Sequence, residues 1–180
     1  MQPMNNKTFE FTIEGTSAVM QHKFNGQEEE KRIAELPHAE QAERHAYRTL
    51  EKNIGIPAVW IRGSLIDAFV DAAPSKSKQA TKRRVSPRIR VEPIMLDTGL
   101  TEYEIDVQGI PSPKTGRGGT RTIVVRPLLN KWQVSGKLIT GLDESREMEK
   151  WLAQAGEEIG IGANRINGYG RWKVTTFKEM

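Results

Sequence analysis

The chain of 180 residues contains no cysteine. Disulfide scaffolds, thiolate metal sites and thiol nucleophiles are thereby excluded, and a reducing compartment fits. Long apolar runs are missing as well. No stretch approaches the roughly 18 residues of a membrane-spanning helix, and the opening MQPMNNKTFEF lacks the basic-then-apolar build of a secretory signal. The expectation is a soluble, cytoplasmic protein with no membrane partner. Acidic residues are absent from two stretches. From Pro74 to Val91 there are seven basic residues, Lys76, Lys78, Lys82, Arg83, Arg84, Arg88 and Arg90, and from Lys114 to Arg126 there are Lys114, Arg117, Arg121 and Arg126. The net charge is only +4, so the balancing acid sits elsewhere, much of it in helical segments. Cations segregated in this way point to a polyanionic partner.

An apolar fraction of 37% over this length supports one core, and the reading is a single domain over residues 1–180. KTFEFTIEG alternates Phe9, Phe11 and Ile13 with polar residues, the period of a strand with one face buried. Residues 27–53 are rich in helix formers, with a break at Pro37. GIPAVWIRGSLIDAFVDAAP reads as a short strand ending near Ile61, a turn at Arg62 and Gly63, and a helix with Ser64 and Asp67 as its capping box. A strand near Ile89–Leu96 and the alternating TEYEIDV follow. TRTIVVRPLL and KWQVSGKLIT read as a hairpin turning near Asn130. LDESREMEKWLAQAGEEIG spaces Met148, Trp151, Leu152, Ala155 and Ile159 as a helix capped by Asp143, and RWKVTTF is the last strand. The order fits an α+β, ferredoxin-like antiparallel sheet with two main helices. Residues of about 74–92 are expected as a large, mobile basic insertion, and about 109–121, rich in Gly and Pro, as a loop.

IGIGANRINGYGRWKV, residues 159–174, carries four glycines and two arginines between the last helix and the last strand. A dinucleotide or phosphate loop follows a strand and opens a helix, so this reversed order argues against that reading. The segment resembles the C-terminal glycine-rich loop of the RAMP superfamily, the ferredoxin-like RNA-binding proteins of CRISPR systems. It shares small residues after the second helix, then Gly168, Tyr169, Gly170 and Arg171 before a strand. IPAVWIRGSLIDAFVDAA, with Gly63 and Ser64, resembles a segment of the backbone-subunit branch of that superfamily. The chain from FTIEGTSAVMQH through VVRPLLNKWQVSGKL is also similar to an uncharacterised family of tailed phages and prophages.

The resemblance implies a non-enzymatic subunit that holds single-stranded RNA or DNA, forms a homo-oligomer or filament, and joins other subunits of a ribonucleoprotein complex of a CRISPR-like system or a phage in a bacterial cell. The binding residues are then Lys76, Lys78, Lys82, Arg83, Arg84, Arg88 and Arg90 as a clasp, with Lys114, Arg117 and Arg121 on the loop. The glycine segment adds Gly162, Arg165, Gly168, Tyr169, Gly170 and Arg171. Glycine admits positive φ and close approach of another backbone, and Tyr169 or Trp172 is placed to stack a base. The alternative for the same glycines is a tight helix stop. The acidic helices offer a surface for a neighbour's basic arm.

No constellation for chemistry converges in the sequence. His38 and His45, seven apart, have neither the spacing nor the neighbours of a metal site, and neither cofactor nor metal is expected. Some RAMP endoribonucleases place a general base near the position of His22, so His22 and His45 are the catalytic candidates of a rival reading, a metal-independent ribonuclease assisted by Arg171. A structural or assembly role in a phage, without nucleic acid, is the other rival. Asp67 and Asp71 read as polar helix face, and Glu28, Glu29 and Glu30 as helix surface.

Overall fold

The computed structural model describes residues 6–111 and 121–180. β1 (Lys7–Gly15) lies at the heart of a four-stranded antiparallel sheet in the order β4 (Ile89–Glu92), β8 (Gln133–Thr140), β1, β9 (Trp172–Glu179). Phe9, Phe11 and Ile13 pair across the strands with Leu138, Gly136 and Val134. All three point into the core, as their alternation predicts, with Glu10, Thr12 and Glu14 on the other face. The helix α3 (Ala58–Ala72) connects β1 to β4, and α5 (Met148–Gln154) connects β8 to β9. Strand, helix, strand, strand, helix, strand in this pairing is the ferredoxin-like α+β fold. Phe69 of α3 stacks on Trp151 of α5 at 4.2 Å, locking the helices together above the sheet.

Four readings of the sequence are corrected. α3 begins at Ala58 behind Pro57 and runs straight through Gly63, so no turn lies there. Ser64 is buried in mid-helix, where its hydroxyl donates to the Ala155 carbonyl at 3.2 Å instead of capping. The hairpin is also different. β7 (Arg121–Leu129) pairs with β6 (Glu104–Pro111) and with β2 (Val19–Met20), whereas β8 joins the main sheet. Residues 130–132 therefore carry the chain from one sheet to another. Third, the basic stretch is part of the frame. It holds α4 (Lys78–Val85), packed on α3, and then β4, an edge strand whose Ile89 and Val91 are buried along with Val85. A two-stranded ribbon of β3 (Gly55–Pro57) and β5 (Met95–Asp97) completes the sheets. Asp143 opens a 3-10 turn before α5 and makes no side-chain cap.

One hydrophobic cluster runs from Phe9 to Trp172. Met20, Ile33, Ala42, Ala46 and Val125 are buried outside it, on the side built by α1 (Gln27–Ile33), α2 (His38–His45), β2 and β7. That satellite is small, with two alanines among five residues. Among the described residues, no helix is long and apolar enough to cross a membrane.

Candidate nucleic-acid interface

The outer face of α3 organises the cations around it. Asp67 and Asp71 are one helical turn, about 6 Å, apart on that face. Asp67 receives Arg165 of the glycine segment at 3.5 Å, and Asp71 receives Lys78 of α4 at 3.2 Å. Both basic groups that the sequence singled out thus flank one turn of one helix. Lys76, Lys82 and Arg83 are exposed there and, among the described residues, have no ion-pair partner. Arg84 is committed to Glu144 at 2.8 Å. Arg88 is half-buried in the turn before β4. Arg90 alternates with Ile89 and Val91 and so projects from the opposite, open face of the sheet, 4.0 Å from Glu92. Lys114 and Arg117 lie outside the described residues, and Arg121 is described by its backbone alone.

The glycine segment is only partly open. α5 widens into a π-helical turn at Ala155–Ile159, ended by the Gly160 amide donating to the Ala155 carbonyl. The amides of Ile161, Ala163 and Gly170 donate to the carbonyls of Gly170, Met20 and Ala18, stitching the segment onto itself and onto β2. A β-carbon on Gly170, at φ +71°, would lie 1.9 Å from the Ile161 carbonyl oxygen, and one on Gly162 would lie 2.4 Å from that of Met20. These glycines serve the chain's own backbone contacts, and their role as a cradle is corrected to packing. Trp172 is buried against Gly156 and is unable to stack a base. The tip differs. Arg165, Ile166, Asn167 and Gly168 are exposed, a β-carbon on Gly168 would meet open space, and Tyr169 is half-buried beside them. Arg171 reaches the Arg165 carbonyl at 3.5 Å, while its Nη1 is buried without a partner. Glu158 with Asp67 and Asp71 makes the groove under this tip mixed in charge.

The catalytic candidates of the rival reading do meet. The His22 and His45 rings stack at 4.3 Å. Arg171 has no place beside them in that role; the guanidinium whose field reaches His22 is Arg126, which burial pushes below its ordinary pKa against the pull of Asp106. His22 itself is pushed down by burial first and then by His45. Glu30, expected on the helix surface, instead faces His45 at 3.1 Å. The helical acids of α1 are partly spent as well, since Glu28 pairs with Lys31 and Glu29 with Arg32 on the same helix. No pattern within α1 marks Glu30, because its partner His45 sits on a separate helix beyond the break at Pro37.

No protein-family model matches the chain, and no curated protein sequence does. Solved structures do. The chain is similar to one from the type III-B Cmr-beta complex bound to cognate target RNA, with a TM-score of 0.55 and 9% identity over 97% of this chain. It spans 61% of the length of that Cmr-beta chain. Cmr6 from Pyrococcus furiosus gives a TM-score of 0.46 and 11% identity over 98% of this chain and 100% of its own. The Cmr-beta likeness agrees with the sheet order: the two chains share a ferredoxin-like α+β fold.

Proposed function

We propose that this protein holds single-stranded nucleic acid, RNA in preference to DNA, by its sugar-phosphate backbone and without base specificity, as a repeating subunit of a ribonucleoprotein assembly. The observation that carries the reading is the convergence of the α4 cations and the Arg165 tip on the same turn of α3. Three exposed side chains, Lys76, Lys82 and Arg83, have no ion-pair partner among the described residues and supply the charge. The fold, which is found in a complex bound to target RNA, supports the reading. Specificity is low because charge and backbone contacts read phosphate, not base edges. In this reading the copies align as a homo-oligomer or filament with or without other subunits, in the cytoplasm of a bacterial cell, in the service of a CRISPR-like system or of a phage. The test is purification without nuclease treatment, followed by the ratio of absorbance at 260 and 280 nm and imaging. RNA carried through purification in regular particles is the expected result. Monodisperse protein free of nucleic acid, with no affinity for added RNA or DNA, would overturn it.

A further inference from the structure

The satellite core carries a polar cluster that the nucleic-acid reading does not use. His22 follows β2, Glu30 belongs to α1 and His45 ends α2, and one ligand-capable atom from each lies within 4.8 Å of the others. They come from three successive segments, and the packing of α1 and α2 beside β2 brings them together.

Two of the three side chains are held from behind. His45 Nδ1 lies 2.8 Å from the Val125 carbonyl, which only accepts, so Nδ1 carries hydrogen and donates. The lone pair of a neutral ring is then on Nε2, and Nε2 faces Glu30 Oε2 at 3.1 Å. Glu30 is anchored through its other oxygen: the Asn25 backbone amide donates to Oε1 at 2.9 Å and Asn25 Nδ2 at 3.3 Å. Asn25 is itself tied to the carbonyls of Lys23 and Arg44. His22 keeps a buried Nδ1 with no hydrogen-bond partner. Two imidazoles and a carboxylate, with a carbonyl orienting one ring and amides fixing the carboxylate, form both shells of a transition-metal site.

We propose that His22, Glu30 and His45 bind a first-row divalent metal ion, zinc fitting best, which staples α1, α2 and β2 against the β6–β7 hairpin. Zinc bonds of about 2.0–2.1 Å set tetrahedral ligand atoms about 3.3 Å apart. Nε2 and Oε2 are already near that spacing, and half-buried His22 closes the third side by a small ring shift. A fourth position stays open to water. The Arg126 charge opposes the ion, and Asp106, paired opposite Arg126 across the hairpin, offsets it. The satellite core buries little apolar surface, so a metal staple has much to add there. This inference is independent of nucleic-acid binding.

The test uses the whole chain, freed of metal with a chelator, then titrated with zinc chloride by calorimetry and with cobalt(II) by visible absorption. We expect one equivalent of zinc, the intense visible bands of tetrahedral cobalt, and a Tm raised by roughly 5–10 °C at a hundredfold excess of zinc over its Kd. Glu30→Gln and His22→Gln, each near in shape to the parent, should weaken zinc at least about tenfold, while His38→Gln should leave it unchanged. Should either variant fail to fold, the wild-type protein still decides: the His22 and His45 ring resonances shift on adding zinc. Zinc that leaves those resonances in place, binds the Glu30→Gln and His22→Gln variants as tightly as wild type, or does not bind at all overturns the proposal. The pair would then be an ordinary imidazolium–carboxylate contact.

Discussion

Gly170 and Gly168 sit two residues apart with nearly the same positive φ, +71° and +86°, yet they do different things. Gly170 lets two backbones touch, while Gly168 only turns. Gly170→Ala should therefore cost roughly 3 kcal/mol or more, from a left-handed alanine and a clash with the Ile161 carbonyl. Gly168→Ala should cost about 1 kcal/mol, the conformational part alone. Thermal denaturation of the two variants checks the contrast. Tyr103 offers a second residue-scale test. Burial and its hydrogen bond to Glu43 Oε2, 2.8 Å away, push its pKa up to about 12. An unfolded tyrosine ionises near 10. Its stabilising contribution is complete below pH 10 and is lost as pH climbs from 10 toward 12, because only the unfolded chain releases that proton. Tyr103→Phe should remove this part of the alkaline loss of stability, as measured by urea denaturation across that range.

At the scale of elements, α3 shows what local pattern hides. The β-branched residues Val59 and Ile61 and the glycine at Gly63 lower the helix propensity of this segment, yet Ile61 and Leu65 complete one buried stripe with Ala58, Ala68 and Phe69. Tertiary burial outweighs propensity there. Gly63 has nothing within 4 Å of a β-carbon and lies inside a helix, so Gly63→Ala should stabilise the protein by about 0.5–1 kcal/mol. The turn first read at this position would give the opposite sign, and a shift in Tm separates them. The strand with one buried face, β1, was legible because alternation states which side is wet. The β6–β7 pairing was not, because TRTIVVRPLL is apolar enough to pair with either neighbour and the segment that joins it to β6 has the composition of a loop. Likewise the basic stretch reads as an arm by charge, although Val85, Ile89 and Val91 in it mark a helix end and a strand. The glycines were legible as positions needing freedom, but the choice between cradle and packing depends on β2, which lies about 140 residues earlier in the chain.

For the molecule as a whole, the two faces of the sheet divide the cations. Arg90, Lys137 and Lys173 share the open face with Glu10, Glu14 and Glu92, a mixed surface with Lys173 bound to Glu14 at 3.1 Å. The helical side carries Lys76, Lys82 and Arg83, without ion-pair partners among the described residues, beside the glycine tip. Binding of a strand along that side has a quantitative signature in salt. Each phosphate contact on a single strand contributes about 0.7 to the slope of log affinity against log salt. The most direct measurement is fluorescence anisotropy of a labelled oligouridylate over a salt series, with wild-type protein and with Lys76→Gln, Lys82→Gln and Arg83→Gln combined. The expected result is measurable affinity for wild type and a slope shallower by about 2 for the variant, which retains the same Tm. Equal slopes and equal affinities for the two proteins, or no binding by either, would contradict the assignment of this side as the nucleic-acid surface.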